Sequence, residues 1–242
     1  MNDENTWKQF ETAGLTWEER AKTTQLQAVI DPSDYLGRKN GFINYLHKSV
    51  LKQYLTSGDE IVLDFGCGTG RFTQLLSENA IFVVGVDITK EMVRHPSARK
   101  LICEKNVSFL VYDGIDLPFK EASFDCIISV YVLQYAKEDF FNIGLNLVKC
   151  LKEGGKIVLI EQVRNGRRTS EDYRKLFEGC KCTINVPIRR SNSMLISLVA
   201  RGYVPEFMFP FVGKLEMYLA KKTSMKDVRY KDYLFVFERE VN

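Results

Sequence analysis

Four residues at fixed spacing could bind a nucleotide-like ligand: Asp64, Gly66, Gly68 and Gly70. They end a short apolar run that predicts a buried strand, and they precede an apolar pattern with helical spacing. A glycine-rich turn between a strand and a helix lets a ligand approach bare backbone and the helix N-terminus. Open α/β sheets bind nucleotide-like molecules at such turns. This segment therefore predicts a nucleotide-type site.

The spacing of the glycines argues against a dinucleotide as the ligand. A dinucleotide site requires Gly-x-Gly-x-x-Gly, and the third glycine of that pattern would fall at Arg71. The observed Gly-x-Gly-x-Gly, with Asp64 two residues before it, resembles motif I of the class I S-adenosylmethionine (SAM)-dependent methyltransferases. SAM carries a sulfonium, an ammonium and a carboxylate but no pyrophosphate, so it needs no anion cradle. The alternative interpretation is an ordinary glycine turn.

Four further apolar runs follow this turn in the order and spacing of the same family, and the resemblance covers about residues 60–161. An acid, Asp87, closes the second run and is expected to accept both ribose hydroxyls. Asp113 closes the third and is expected to accept a hydrogen bond from the adenine amino group. In all, the resemblance implies a SAM site built from Asp64, Gly66, Cys67, Gly68, Asp87, Ile88, Asp113, Gly114 and Ser129.

The acceptor of the methyl group is expected beside the loop that follows the fourth run. Tyr131, Tyr135 and Glu161 are the candidate catalytic residues there. A general base is needed only if the acceptor is a hydroxyl or a protonated amine. Neither His47 nor His95 is a candidate base, because both are better explained as structural or exposed. The tyrosines are equally well explained as walls of the pocket.

The family resemblance and the chain pattern together predict the fold. We expect an α/β fold with a seven-stranded, mostly parallel, doubly wound sheet, an antiparallel last strand and helices on both faces. Residues 1–59 are expected to form a helical extension over the cofactor, and residues 60–242 the SAM-binding domain. Tyr203–Phe211 and Tyr233–Phe237 are predicted as strands 6 and 7, after a helix within Ser191–Gly202.

Two loops outside the resemblance could complete the site. Tyr35 and Arg38 lie in a turn-rich loop of the N-terminal extension, and in relatives this segment folds over the cofactor. Arg38 could then pair with the methionine carboxylate; the alternative is a surface loop. Residues 162–190 hold eight basic and three acidic residues. They are predicted to cover the substrate and to favour an anionic acceptor, although a solvated surface helix explains the same charges.

Composition limits the function classes. The chain has 242 residues, 45% of them hydrophobic, and a net charge of +3, which does not indicate a nucleic-acid-binding protein. No apolar run approaches 18 residues, so we expect no membrane span. The single Cys180-x-Cys182 pair has no second pair to complete a zinc site. We therefore expect reduced cysteines, no metal and a cytoplasmic protein.

Three functions remain open at this point. The first is a methyltransferase acting on an oxygen or nitrogen of a small molecule of sugar, quinone, lipid or natural-product type. The second is an RNA or protein methyltransferase, for which residues 162–190 are the candidate surface. The third is a non-catalytic SAM-fold binding protein, although the intact acid and glycines of the motif argue for an active site.

Overall fold

The computed structural model describes residues 15–55, 58, 60–114, 116–164, 166–191 and 193–241. The strands are β1 (Ile61–Phe65), β2 (Phe82–Asp87), β3 (Val107–Val111), β4 (Phe124–Val130), β5 (Leu151–Val163), β6 (Cys180–Arg190) and β7 (Lys231–Arg239). The helices are α1 (Trp17–Arg20), α2 (Gln25–Val29), α3 (Arg38–Leu51), α4 (Thr73–Ser77), α5 (Lys90–Val93), α6 (Pro96–Leu101), α7 (Phe140–Cys150), α8 (Ser170–Arg174), α9 (Met194–Ala200) and α10 (Phe209–Lys222). No helix among these residues is long and apolar enough to cross a membrane.

All seven strands form one sheet, in the order β3-β2-β1-β4-β5-β7-β6. The first five strands run parallel, and β7 pairs antiparallel with both β5 and β6. The predicted mostly parallel seven-stranded sheet is therefore confirmed. The chain order reverses at β1, which lies between β2 and β4. Open sheets bind their ligands at the carboxyl ends of the strands at such a switch point.

Alternate residues of the central strands pack on opposite faces of the sheet. Leu63, Ile127 and Leu159 join one apolar cluster together with α7. Val62, Ile128 and Ile160 join a second cluster together with the end of α3. Strands buried on both faces read as continuous apolar runs, which explains why the sequence pattern located β1, β2, β4 and β5.

The prediction for strand 6 is wrong. Tyr203–Phe211 forms a 3-10 turn and the first residues of α10, and the sixth strand is β6. Pro205 and Pro210 interrupt Tyr203–Phe211 and disfavour a strand there. Pro210 suits the first turn of a helix. From Phe209 onward the buried residues recur at helical spacing.

The position of the sixth strand also changes the structure expected for residues 162–190, which were predicted to cover the substrate. The second half of residues 162–190 is β6 and belongs to the sheet. Apolar residues alternate along it, which is the period of a strand, and Pro187 is tolerated because β6 lies at the sheet edge. The charged residues obscured this alternation in the sequence.

Helices α1 and α2 lie against the glycine-rich turn. Thr16 and Glu19 form the capping box of α1, and the Gln25 side chain donates to the carbonyl of Thr69 in the turn (3.3 Å). The buried Arg20 guanidinium bonds to backbone carbonyls of α2 and the residue after it, including Ala28 (2.8 Å). These contacts hold α1 and α2 over the carboxyl ends of β1 and β2.

Candidate active site

The glycine-rich turn is closely packed from both sides. Gly66 has φ +70°, and a Cβ on it would lie 2.2 Å from a methyl group of Val132. Gly68 has φ +53°, and its Cβ would lie 2.9 Å from a methyl group of Val29. A side chain at either position would be strained and would clash. The turn therefore requires glycine because the loop after β4 and helix α2 both approach its backbone.

The buried side chain of Asp64 stabilises the glycine-rich turn from the protein interior. Its side chain is buried, and Thr73 at the start of α4 donates a hydrogen bond to it (2.6 Å). Burial raises the pKa of Asp64 to about 6. The carboxyl group does not line the cleft described below. Its position therefore suits holding the strand-to-helix turn in place.

Asp87 lies at the carboxyl end of β2 and lines the cleft. One carboxylate oxygen accepts from the Gly68 amide (2.9 Å) and the other from the Thr89 amide (2.8 Å). Burial raises the pKa of Asp87, and these amide bonds oppose the shift. Each carboxylate oxygen has a second lone pair. Asp87 can therefore orient the glycine-rich turn and still accept two hydroxyl groups of a ligand.

One cleft opens at the switch point of the sheet, where open α/β sheets bind their ligands. Its walls come from β1, β2, α1, α2 and the segments that follow β2, β3 and β4. The lining residues are Trp17, Val29, Phe65, Gly66, Gly68, Asp87, Ile88, Thr89, Met92, Tyr112, Val130, Tyr131, Val132 and Tyr135. Apart from Asp87 and Thr89, the lining side chains are apolar or aromatic.

Aromatic residues line much of the cleft. Trp17 from α1 meets Tyr135 edge to face, with ring centroids 5.4 Å apart. Tyr131 follows β4 and has φ +62°, a strained conformation for a bulky residue. Such strain persists only where the surroundings hold it.

A buried polar cluster holds Tyr131. Its hydroxyl donates to Asp232 on β7 and lies 3.3 Å from His47 Nε2. The Arg189 guanidinium on β6 forms an ion pair with Asp232 and donates to the Tyr131 oxygen (3.2 Å). All four side chains, hereafter the tyrosine cluster, converge from α3, β6, β7 and the loop after β4.

The charges within the tyrosine cluster follow from burial. Burial lowers the pKa of His47 to about 4, so its ring is neutral near pH 7. Burial alone would raise the pKa of Asp232, but Arg189 and His47 together hold it below its ordinary value. Burial raises the pKa of Tyr131 far above its ordinary value. The phenol is therefore a neutral donor to a carboxylate and is unsuited to act as a base.

Glu161 shapes the loop after β4 and does not reach the cleft. Its carboxyl group is fully buried and accepts three backbone bonds, from the amides of Val132 (2.9 Å), Leu133 (2.9 Å) and Gln134 (3.1 Å). The structure thus does not bring Glu161 together with Tyr131 and Tyr135 on the acceptor side. Burial raises the pKa of Glu161 to about 8, although the three amides favour the carboxylate.

We expect the stability of the protein to depend on pH through Glu161. Because its folded-state pKa lies above its unfolded value, the stability from the bound proton is complete below about pH 4.3 and falls as pH rises through about 8, by at most about 1.4 kcal/mol per pH unit. Urea unfolding between pH 6.5 and 9 should show this loss in the wild type.

Glu161→Gln is the matched control, because glutamine keeps the shape and does not titrate. Its amide nitrogen cannot accept, so the variant should lose about 1–3 kcal/mol at pH 6.5 from an unpaired backbone amide. Its unfolding free energy should then fall less with pH than that of the wild type. Identical pH dependence in both proteins would show that Glu161 does not titrate in this range.

The remaining predicted residues fall at different distances from the cleft. Ile88 lines it, whereas Cys67 and Ser129 are buried beside it. Asp113 is exposed and accepts from the Asp116 amide (3.2 Å), while the ring of its neighbour Tyr112 lines the cleft. Gly114 is buried, with φ +90°, and is not among the lining residues. The adenine contact assigned to Asp113 stays a prediction.

The loop with Tyr35 and Arg38 is not brought to the cleft. Tyr35 is 88% exposed, and the exposed guanidinium of Arg38 lies over Gly202 instead. The loop follows α2, and neither residue lines the cleft. The interpretation of this segment as a surface loop therefore fits the structure.

Sequence reasoning missed the residues that α1, α2 and α5 contribute, because short helices far from the motif gave no signal for their partners. Trp17 begins α1 directly after the capping box at Thr16, and no sequence pattern indicates what that helix covers. Asp232 also went unnoticed, since no local pattern links it to Tyr131.

Comparison with known proteins agrees with the resemblance found in the sequence. Residues 63–159 match the family model described as a methyltransferase domain. This stretch is therefore a methyltransferase domain, similar to those of the class I SAM-dependent enzymes. The match covers the strands that build the cleft, and the sheet order of this methyltransferase domain agrees with the predicted fold.

Named relatives cover part of the chain. A demethylmenaquinone methyltransferase of Lactococcus lactis is 33% identical over 121 residues, which are 48% of this chain and 46% of the relative. The chain spans about half the length of the curated relatives that it matches.

Solved structures share the fold of the methyltransferase domain over a longer stretch. The cyclase SpnF superposes with a TM-score of 0.61 at 18% identity, over 82% of each chain. Geranyl diphosphate C-methyltransferase of Streptomyces coelicolor A3(2) superposes with a TM-score of 0.60 at 16% identity, over 87% of this chain and 86% of the other. These two proteins show that one fold serves different chemistry.

Proposed function

We propose that this protein transfers a methyl group from SAM to an oxygen or nitrogen of a small-molecule acceptor. The observation that carries the proposal is a cleft lined by two chemically different groups of residues. We assign the glycine-rich turn and Asp87 to a first end that binds the cofactor, and Trp17, Tyr131 and Tyr135 to a second end that binds the acceptor. A bisubstrate transfer needs such a cleft, because donor and acceptor must meet in line and away from water.

The residues at the first end fit the cofactor. Val132 and Val29 pack against the turn at Gly66 and Gly68, and both glycines line the cleft, so the backbone of the turn is available to a ligand. Asp87 offers carboxylate lone pairs for a ribose diol, and Ile88, Met92 and Tyr112 offer apolar surface for a purine. When bound, SAM supplies an electrophilic methyl group on a sulfonium, and the protein needs only to orient it and exclude water.

The second end favours a flat, apolar acceptor. Trp17, Tyr131 and Tyr135 present ring surface, which packs well against aromatic or conjugated molecules. We therefore favour a hydroquinone or phenolic natural product over a sugar as the acceptor. The names of the relatives, which include a demethylmenaquinone methyltransferase and a 27-O-demethylrifamycin SV methyltransferase, agree with this class.

The acceptor must bring its own nucleophile close to the reactive state. Among the described residues that line the cleft, the titratable groups are Asp87 and three tyrosines. Burial raises the pKa of Tyr112, Tyr131 and Tyr135, which disfavours their anionic forms. Asp87 is committed to the first end. A phenol, a hydroquinone or an unprotonated amine therefore fits better than an aliphatic alcohol, which would need a strong base.

The basic side chains of residues 162–190 provide little positive charge to bind an anionic acceptor in the cleft. Arg189 and Arg190 form ion pairs, and Arg168 donates to the carbonyls of Ala136 and Lys137. None of the eight basic residues of 162–190 is among the lining residues of the cleft. The anionic preference stays a prediction that Arg167→Glu and Lys181→Glu, both exposed positions, would test.

The proposal is tested by supplying SAM labelled in its methyl group together with a panel of hydroquinones, phenols, sugars, lipids, RNA and whole-cell protein. Label transferred to a hydroquinone or phenol, and abolished in Asp87→Ala, would support it. Label in RNA or protein alone would favour the macromolecular alternative. SAM binding without transfer to any of these would favour a non-catalytic binding protein.

Trp17→Ala should lower kcat/KM for the small acceptor by about 10- to 100-fold, because truncation removes an aromatic wall and its edge-to-face contact with Tyr135. Trp17→Phe keeps a ring and should lose less than about fivefold. Steady-state kinetics with acceptor varied at saturating SAM measures both. Equal kinetics for the alanine variant and the wild type would place the acceptor elsewhere.

A further inference from the structure

A large apolar surface lies on the α3–α10 side of the molecule, away from the cleft. Phe207 is 78% exposed, Phe211 71%, Tyr218 58% and Leu215 46%. Exposed apolar side chains that occur singly are ordinary, whereas a contiguous group marks an interaction site. The surface therefore needs a partner or a medium that covers it.

Helical spacing places these side chains on one face of α10. Phe207 precedes the helix by two residues, and Phe211, Leu215 and Tyr218 follow at intervals of four and three. The opposite face packs on the protein through Phe209, Val212 and Ala220, together with Glu216, which pairs with Arg190. The exposed residues are thus not part of the apolar core, because α10 buries a separate set of residues on its other face.

Two neighbouring segments extend this surface. Tyr203 is 72% exposed and Leu36 is 73% exposed. The Arg38 guanidinium lies 3.3 Å from the position of a Cβ on Gly202, so the loop before α3 and the turn after α9 are adjacent. We call the surface formed by Leu36, Tyr203, Phe207, Phe211, Leu215 and Tyr218 the apolar face.

Positive charge surrounds the apolar face. Residues 201–229 carry six exposed cations: Arg201, Lys214, Lys221, Lys222, Lys226 and Arg229. The exposed carboxylates in the same segment are Glu206 and Asp227. On the helix, Lys214, Lys221 and Lys222 project from the same half as Phe211 and Tyr218. An apolar centre with a lysine border is the pattern of helices that lie in the interface of an anionic bilayer.

We propose that the apolar face docks this protein on the surface of an anionic lipid bilayer. The aromatic and leucine side chains enter the boundary between headgroups and acyl chains, and the lysines meet the lipid phosphates. A second copy of the chain fits less well, because a twofold contact through this face would bring the lysines of one copy against those of the other.

The apolar face is separate from the cleft. None of its six residues is among the lining residues of the cleft. Docking itself does not depend on methyl transfer, so it can be tested without cofactor or acceptor.

Vesicle flotation of the full chain tests the proposal. Vesicles of phosphatidylcholine with 30% phosphatidylglycerol should bind the protein at least about 30-fold more strongly than pure phosphatidylcholine, and 0.5 M NaCl should weaken the difference. Phe207→Ser/Phe211→Ser and Lys214→Glu/Lys221→Glu/Lys222→Glu should each lower binding by about 30-fold or more.

Matched controls lie on the opposite face of the sheet. Phe141 on α7 is 53% exposed, and Lys149 on the same helix is also exposed. Phe141→Ser and Lys149→Glu should bind vesicles as the wild type does, and circular dichroism should show all variants folded. Absence of preference for anionic vesicles, or equal loss in the controls, would overturn the proposal. A change from dimer to monomer in Phe207→Ser/Phe211→Ser without vesicle binding would assign the face to a second copy.

Discussion

Replacing Asp87 with alanine should lower the affinity for SAM by about 100-fold or more. The proposed ribose site loses two hydrogen bonds to a charged group, each contributing on the order of 1.5–3 kcal/mol. The amides of Gly68 and Thr89 also lose their acceptor, so the glycine-rich turn loosens at the same time. Titration calorimetry with SAM and with S-adenosylhomocysteine measures the loss.

A ligand lacking the ribose hydroxyls separates the two effects. The wild type should bind S-adenosylhomocysteine much more strongly than its 2′,3′-dideoxy analogue, whereas Asp87→Ala should bind both with similar affinity. If the variant still discriminates between them by the wild-type factor, another residue holds the ribose and Asp87 acts only on the turn. This comparison does not depend on how far the variant turn has loosened.

Asp113→Ala is the matched control for the same measurement. Asp113 also follows a strand of the sheet, but it is exposed and is not among the lining residues of the cleft. We expect a loss of less than about tenfold, which corresponds to a single hydrogen bond to the adenine amino group. A loss as large as that of Asp87→Ala would mean that the loop after β3 moves over the ligand.

The sequence predicted the cofactor end of the cleft because its determinants are local. The glycine spacing and the acid that ends β2 each follow directly from the strand that carries them. Parallel strands then bring their carboxyl ends to one edge of the sheet, whatever the intervening helices do. Gly66, Gly68, Asp87 and Ile88 could therefore be assigned to the cleft without knowledge of the rest of the fold.

The acceptor end could not be predicted in the same way. Its side chains depend on long-range packing: His47 and Asp232 lie 185 positions apart in the sequence, and Tyr131 reaches both only because β7 returns antiparallel beside β5. Glu161 was a catalytic candidate because it lies near the carboxyl end of β5, close to the expected site. A strand alternates its side chains between faces, and a one-residue difference decides whether an acid meets ligand or backbone.

The sequence did not predict β6 for a related reason. The charged residues of 162–190 dominated the pattern, although cysteine, isoleucine and valine alternate through β6. Two of the charges that suggested an exposed segment, Arg189 and Arg190, are held inside by Asp232 and Glu216. Ion pairing with residues from distant elements made those arginines compatible with the interior, and no local pattern reports such pairs.

The tyrosine cluster gives the second large expected effect. Asp232→Ala should destabilise the protein by about 3–5 kcal/mol, because it leaves the Arg189 guanidinium buried without a counter-charge. It also removes the acceptor of the Tyr131 hydroxyl, which holds the strained residue in place. Urea unfolding should show a lower midpoint or, in a marginally stable background, no folded protein.

A double variant that lacks both charges keeps this prediction testable if the single variant does not fold. Arg189→Met/Asp232→Asn removes both charges and retains an amide oxygen that can accept from Tyr131. Since replacing a buried ion pair with neutral groups is often close to neutral for stability, the double variant should recover most of the loss seen in Asp232→Ala. A double variant as unstable as the sum of its single variants would show that the two charges do not interact.

Activity of the double variant then reports on what the cluster does for the cleft. If the cluster acts by fixing Tyr131, the folded double variant should keep wild-type affinity for SAM, because the glycine-rich turn and Asp87 are untouched. Its KM for the acceptor should rise by about tenfold, since Arg189 no longer donates to the Tyr131 oxygen and fewer contacts hold the ring in its strained conformation. Loss of SAM affinity with unchanged acceptor KM would instead place the ring of Tyr131 against the cofactor.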